Sequence, residues 1–318
     1  MEAGSCKGRE MADENPKPRV ATIGIVGRTN GGKSTLLNQI VGEKVSIVSP
    51  VVQTTRNSIR AILDEKRGQL VFVDTPGLHK AESKLGTLIN KMARHAAANV
   101  EALLVVFDVS EAPHLEDDGW MRRLLVAEED RPAFFFFNKC DREELHVEEF
   151  RELWNKLQHE CGRTRKVRAF SGCAATGEGV DKLVDSLFDT APEGERLYDS
   201  EILSDYPRQL AMADVIREKV FLNLRDELPH DIGVRLDKFV EKPSKWTVEA
   251  TLLVARPSQK PIVIGPEGRT VKRIRQAAQK DIAEQFDVEV ELSLWVKVDK
   301  DWTTNPLVLR QMGYLGDY

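Results

Sequence analysis

Cysteine is scarce. The 318 residues hold four, Cys6, Cys140, Cys161 and Cys173, none in C-x-x-C spacing, which removes the common zinc and dithiol redox layouts and fits a reducing compartment. Long apolar runs are missing too: stretches such as Ala102 to Phe107 and Pro132 to Phe137 fall far below the ~20 residues that span a bilayer. Met1 to Arg19 mixes Gly, Lys, Glu, Asp and Pro without an apolar core, so no secretory signal is expected there. Positive net charge is absent, because 46 Lys and Arg face 51 Asp and Glu for a net −5, which argues against bulk non-specific nucleic-acid binding. No internal repeat or low-complexity tract interrupts the chain. What remains is a composition of 41% apolar and 31% charged residues, enough for real cores and for about two domains at ~150 residues each.

From Val20 to Phe188 an apolar run, a turn and an amphipathic segment recur. Val20 to Val26, Gln69 to Thr75, Ala102 to Val109, Ala133 to Lys139 and Val167 to Phe170 read as buried strands, since continuous hydrophobicity marks a strand covered on both faces. Helical spacing covers Lys33 to Val41, Ser83 to Ala98, Asp117 to Ala127, Val147 to Glu160 and Gly179 to Asp189. Alternating βα units predict a doubly wound α/β sheet with its ligand at the carboxyl ends of the strands. After Ala191 the rhythm changes to α-β-β-α-α-β: a helix over Tyr206 to Arg225, strands over Asp231 to Val240 and Thr247 to Arg256, a short helix over Pro261 to Ile264, a helix over Arg269 to Gln285 and a strand over Val288 to Val298.

Gly27 to Ser34, GRTNGGKS, fits G-x-x-x-x-G-K-[ST] and lies between the first strand and the first helix, the context a phosphate-binding loop requires. Backbone N–H groups from Gly27 through Gly32 can wrap phosphates above a helix N-terminus, Lys33 reaches β and γ oxygens, and Ser34 ligates Mg²⁺. A phosphate loop leaves ATP and GTP open. Asn138 to Asp141, NKCD, decides for GTP: guanine presents two adjacent donors that the Asp141 carboxylate can accept, and adenine has no such pair. Asp74 to Gly77, DTPG, ends a strand, placing Asp74 to hold Mg²⁺ through water and the Gly77 amide at the γ-phosphate. Thr54 or Thr55 is placed to complete the metal shell. Cys173 to Gly179 follows a strand and puts the Ala174 amide against the guanine carbonyl. The residue after D-x-x-G is Leu78, where many GTPases carry a water-orienting Gln, so intrinsic hydrolysis is expected to be slow; Asn30 either ligates a K⁺ ion that makes up the loss or braces the loop.

Gly27 to Ser34, Gln53 to Arg56 (QTTR), DTPGL, NKCD and CAATG together resemble a translation-factor-class GTPase, and QTTR followed by DTPGLH is similar to the Era family of bacterial ribosome-assembly GTPases, over nearly all of Val20 to Leu315. The resemblance implies catalytic roles for Lys33, Thr55 and Gly77, a Mg²⁺ shell of Ser34, Thr55 and Asp74, and nucleotide contacts from Gly27, Asn30, Gly31, Gly32, Lys33, Ser34, Thr35, Asp74, Gly77, Asn138, Lys139, Asp141, Cys173 and Ala174. Thr29 and Gly31 stand where that family usually has Pro and Val, and Cys173 where it has Ser.

The second half carries its own signal. From Arg256 to Lys280 seven cations face Glu267 alone, a local +6, around the GPEG of Gly265 to Gly268, which joins two helices. That arrangement resembles a type II KH domain, whose glycine loop admits about four nucleotides of single-stranded RNA. Gly265, Pro266, Glu267 and Gly268 form the loop, and Arg269, Lys272, Arg273 and Lys280 meet phosphates. Glu267 departs from the basic residue that Era-like loops commonly carry. Val271, Ile274, Ala278 and Ile282 read as core, and Trp246, Trp295 and Trp302 as core or rim packing ahead of base stacking.

The expected molecule is a doubly wound, mainly parallel P-loop GTPase sheet followed by an α+β type II KH domain. Residues 1–19 form a flexible extension, 20–191 the GTPase domain, 192–206 a linker and 207–318 the KH domain with its tail. The resemblance implies a monomer that uses Mg²⁺, binds GTP and GDP, engages the 16S rRNA 3′ end and the 30S subunit, and sits in the cytoplasm with peripheral contact at the inner membrane. A tRNA-modifying GTPase and a non-catalytic GTP-gated RNA-binding module are the alternatives; a cysteine-bearing tail would favour the first, and this chain ends in QMGYLGDY.

Overall fold

The computed structural model describes residues 17–43, 45, 59–74, 100–128, 130–224 and 228–314. Strands β1 (Arg19–Val26), β2 (Ile59–Glu65), β3 (Gly68–Asp74), β4 (Ala102–Asp108), β5 (Ala133–Asn138) and β6 (Arg168–Ser171) make one sheet in the order β2-β3-β1-β4-β5-β6. Neighbours run parallel except the β2–β3 pair. The apolar runs explain the middle of it, since β3, β4 and β5 are buried along their whole length. In β5, Phe134 and Phe136 face one layer with α1 (Lys33–Val41) and α4 (Val180–Thr190). Phe135 and Phe137 face the other, with α2 (Leu115–Val126) and α3 (Val147–Cys161). A period of two thus feeds two cores from one strand, and each buried Phe contributes about 1.5–3 kcal/mol. The strand order reverses beside β1, so the phosphate loop that follows β1 opens at the switch point where ligands of such sheets bind.

The second sheet has β7 (Ile232–Glu241) antiparallel to β8 (Lys245–Val254), with a register shift between Leu236 and Lys238, and β8 parallel to β9 (Glu289–Val298). On one face lie α5 (Arg208–Asn223), α6 (Gln259–Ile264) and α7 (Arg269–Phe286), whose Ile216, Val263, Ile274, Ala278 and Ile282 meet Val234, Val248, Ala250 and Leu292 of the strands. The order α-β-β-α-α-β stands as expected, with each end within about three residues of its expected place.

Four features differ from the sequence reading. Edge strand β2 was not anticipated: Ile59, Ala61 and Ile62 are buried while Arg60 is exposed, a short alternation rather than a continuous run. The buried strand expected over Val167 to Phe170 runs instead over Arg168–Ser171, at the open edge of the sheet and largely exposed. A final helix, α8 (Pro306–Gln311), starts where the Asn305 side chain accepts from the Leu307 amide at 3.0 Å, and its Val308 and Leu309 join Trp302, Met312 and Tyr314 against Leu253 on the outer face of the second sheet. Arg19, placed in the extension, opens β1 and donates to the Ala191 carbonyl at 2.9 Å. The expected helix over Ser83 to Ala98 lies outside the described residues.

The stretch 192–206 is fastened to the first sheet. The buried Gln69 side chain accepts from the amides of Leu197 (2.9 Å) and Tyr198 (3.0 Å) and donates to the Tyr198 carbonyl (2.9 Å). The Ile62 amide donates to the Leu203 carbonyl at 2.9 Å, and Arg60 pairs with Asp205 at 3.2 Å. Tyr206 then donates its hydroxyl to Asp214 of α5 at 2.8 Å, which carries the attachment into the second domain. Among the described residues no helix is long and apolar enough to cross a membrane.

Candidate functional site

The loop between β1 and α1 takes the shape that its residues allow. Asn30 and Gly32 both adopt positive φ, 59° and 92°, and a Cβ at position 32 would lie 2.1 Å from Asn138 Nδ2, so only glycine fits there. Gly27 and Gly31 are buried beside it. No acidic residue occupies the first turn of α1, which leaves its positive end available for an anion. Lys33 is buried, donates to the Arg28 carbonyl at 2.8 Å, and has its ammonium pushed down to about 8 by burial, against the opposing charges of Asp74 and Asp117. Ser34 donates its hydroxyl to Asp74 Oδ2 at 2.9 Å. That pair of hard oxygen donors, a hydroxyl and a carboxylate at the end of β3, suits Mg²⁺. Thr35 follows, half-buried in the first turn. Thr54, Thr55, Gly77 and Leu78 lie outside the described residues.

Asn138, 2% exposed at the end of β5, ties three loops together. Its Nδ2 donates to the Gly31 carbonyl at 2.9 Å, and its Oδ1 accepts from the Ala174 amide at 2.8 Å. The Ala174 amide, which the sequence reading sets against a guanine carbonyl, donates here to the buried Asn138 side chain. Lys139 holds φ 67°, and its ammonium donates to Asp108. Asp141 is exposed, and its carboxyl sits below the usual carboxylate range chiefly through a hydrogen bond from the buried Cys173 thiol. The loops that follow β1, β5 and β6 therefore converge at the carboxyl ends of those strands. Sequence reasoning missed Asp108 and the Arg28 guanidinium that lies 3.2 Å from it. The signal was present: like Asp74, Asp108 is an acidic residue closing a fully buried strand.

At the second site a Cβ on Gly265 (φ 75°) would meet Thr270 Oγ1 at 2.1 Å, whereas one on Gly268 (φ 74°) would meet open space. Pro266 and Glu267 project into solvent, Glu267 at φ 52°. Arg269, Lys272, Arg273 and Lys280 are all exposed along α7. The local +6 is nonetheless moderated: Glu267 pairs with Arg269 at 3.1 Å, Lys280 with Glu284 at 3.6 Å, and Arg275 turns inward to the Leu292 carbonyl. Ile274, Ala278 and Ile282 are buried as expected and Val271 is half-buried. Trp246 and Trp302 are buried, while Trp295 is 51% exposed on β9.

Two family models match the chain, one described as a 50S ribosome-binding GTPase over residues 22–139 and one as a KH domain over residues 227–303. GTPase Era of Staphylococcus haemolyticus (strain JCSC1435) is 36% identical over 296 residues, which is 93% of this chain and 97% of that protein. Among solved structures, an Aquifex aeolicus Era variant bound to GDP and AlF₄⁻ superposes with a TM-score of 0.83 at 29% identity, covering 93% of this chain and 99% of the other. An Era complex with MgGDPNP and nucleotides 1506–1542 of 16S ribosomal RNA matches with the same score, identity and coverage.

Proposed function

The chain belongs to the Era family of GTPases, and on that premise we propose that it is a GTP-hydrolysing switch that binds the 3′ end of small-subunit ribosomal RNA and assists assembly of that subunit. Asn138 carries the reading: one buried side chain bonds the phosphate loop through the Gly31 carbonyl and the last loop of the domain through the Ala174 amide, so phosphate and base ends of a nucleotide are read by one connected frame. Lys33 supplies positive charge where the β and γ phosphates lie, and the N-terminus of α1 adds its dipole. Ser34 and Asp74, with Thr55, would hold Mg²⁺, which would supply further positive charge to the phosphates. Asp141 accepts from the two guanine donors. Water attacks the γ-phosphorus, the bond to the β–γ bridging oxygen breaks, and GDP and phosphate leave.

Leu78 offers no hydrogen bond to that water, so K⁺ held at Asn30 belongs to this reading as a supplement to the loop's charge. In the second domain Gly265 to Gly268 admits the RNA backbone and Arg269, Lys272, Arg273 and Lys280 meet its phosphates. The division into 20–191, 192–206 and 207–318, a monomeric state, and cytoplasmic residence with peripheral inner-membrane contact complete it; the last rests on family membership alone. The test pairs Asp141→Asn with single-turnover hydrolysis. The variant is expected to lose GTP affinity by at least about tenfold and to gain xanthosine triphosphate affinity, because an amide complements the xanthine carbonyl. Wild-type hydrolysis should accelerate when a 16S 3′-end oligonucleotide is added. Unchanged GTP affinity in the variant sinks the guanine assignment, and absence of any turnover with or without RNA leaves a non-catalytic binding module.

A further inference from the structure

Asp108 closes β4 in register with Asn138 at the end of β5 and is 2% exposed. Its Oδ2 accepts from the Lys139 ammonium at 2.5 Å and lies 3.2 Å from Arg28 Nη2. Its Oδ1 accepts from the amide and hydroxyl of Ser110 at 3.1 and 2.6 Å. Burial opposes the charged form, yet these donors outweigh it and hold the carboxyl below its usual range. Lys139 belongs to the guanine-reading loop and Arg28 to the phosphate loop, so a single carboxylate oxygen faces one cation from each.

The two cations do not depend on it equally. Arg28 Nη2 also pairs with Glu111 at 2.7 Å and keeps that partner if Asp108 is changed. Lys139 sits at φ 67°, a left-handed conformation that a non-glycine residue adopts only when its surroundings impose it, and among the described residues Asp108 is the one carboxylate within ion-pair distance of its ammonium. We propose that Asp108 is a positioning residue for base recognition: by anchoring Lys139 in its left-handed turn it aims Asp141, two residues on, and through Arg28 it ties that aim to the phosphate loop. The proposal rests on the guanine-nucleotide reading above.

The experiment measures calorimetric affinities of GDP, inosine diphosphate (which lacks the exocyclic amine), ADP and pyrophosphate for wild type, Asp108→Asn, Lys139→Met and the double variant. Asn keeps the volume of Asp but lacks the charge and points an amide donor at two cations. Asp108→Asn is expected to weaken GDP about tenfold, the order of a lost charge-assisted hydrogen bond. The preference for GDP over inosine diphosphate should drop about fivefold, while pyrophosphate, which has no base, stays within about twofold. The double variant should bind GDP no more than about twofold weaker than Lys139→Met, since both substitutions cut one tie. An unchanged GDP-to-inosine diphosphate preference in Asp108→Asn, or an equal loss for every ligand, overturns the proposal. Should Asp108→Asn fail to show a folded circular dichroism spectrum, Asp108→Ser is measured in its place and decides by the same preference and pyrophosphate readings. A wild type that favours GDP over neither ADP nor inosine diphosphate refutes the guanine reading itself, which is a separate outcome.

Discussion

Replacing Lys33 by Met should stabilise the nucleotide-free protein while crippling nucleotide binding. The ammonium is buried and has moved from an ordinary 10.5 to about 8. At 1.36 kcal/mol per pH unit that difference costs the folded state about 3 kcal/mol when the group is charged. Met recovers most of this but forfeits the hydrogen bond to the Arg28 carbonyl, worth about 1 kcal/mol, which leaves a gain of about 2 kcal/mol. For a domain of this size the gain raises the melting temperature by about 4–8 °C. Below pH 8 the group is charged in both folded and unfolded chains, so the penalty is fully present. Between 8 and 10.5 the unfolded chain binds more protons, wild-type stability rises with pH through this group, and the gap to Met closes. Excess GDP reverses the order, because ligand at 100 times its Kd adds about 2.7 kcal/mol to the wild type alone. Thermal melts of nucleotide-stripped protein at pH 7 and pH 10, with and without GDP, check all three statements. A Met variant less stable than wild type at pH 7, or a gap that does not narrow at pH 10, refutes the assignment of a strained, buried phosphate-binding cation.

Three further outcomes are expected. If a monovalent cation at Asn30 compensates for Leu78, single-turnover hydrolysis should run at least about threefold faster in K⁺ than in Na⁺, and equal rates count against it. In the second domain Glu267→Gln frees Arg269 from its ion pair and should tighten ribosomal 3′-end RNA while steepening the salt dependence by about one phosphate contact. Gly268→Asp should do the opposite through added negative charge and its left-handed φ of 74°, with GTP affinity unchanged; since a Cβ there meets nothing within 4 Å, wild-type RNA affinity in this variant would show that the loop is not the reader.

Much of this fold was legible because its central strands are buried on both sides. A run such as AFFFFN has no polar face, and a reader needs no partner information to place it inside a covered sheet. Edges are harder. In β2 four apolar residues are mixed loosely with charge, and the strand exists because β3 offers it an antiparallel partner from Ile59 opposite Asp74 to Glu65 opposite Gly68. The strand expected over residues 167–170 has β5 as its one strand neighbour and touches α4 only through Phe170 and a 2.9 Å bond from Arg168 to Ser186 Oγ, so its exposure could not be inferred from its letters. The site shows the same division. Motif glycines, Lys33, Ser34, Asn138 and Asp141 are recognisable because phosphate and guanine chemistry constrain their types and order. Asp108 can be noticed as a carboxylate closing a buried strand, but its pairing with Arg28, eighty positions earlier, is not announced by anything local to either. The bond from the Ala174 amide to Asn138, thirty-six residues away, is hidden in the sequence for a related reason.

The fastening of residues 192–206 to β2 and β3 has an entropic consequence. As a free coil, fifteen residues would let the two domains wander with a typical separation of about 20 Å between the ends of the connection, and any RNA that required a fixed arrangement would have to suppress that wandering on binding. Here the Gln69 side chain, the Ile62 amide and Arg60 have already suppressed it during folding, and the Tyr206 hydroxyl extends the restraint into α5. The connection behaves as a splint. A ligand that engaged both domains would not have to spend binding free energy on ordering residues 192–206, because the same β3 that ends in Asp74 already holds them.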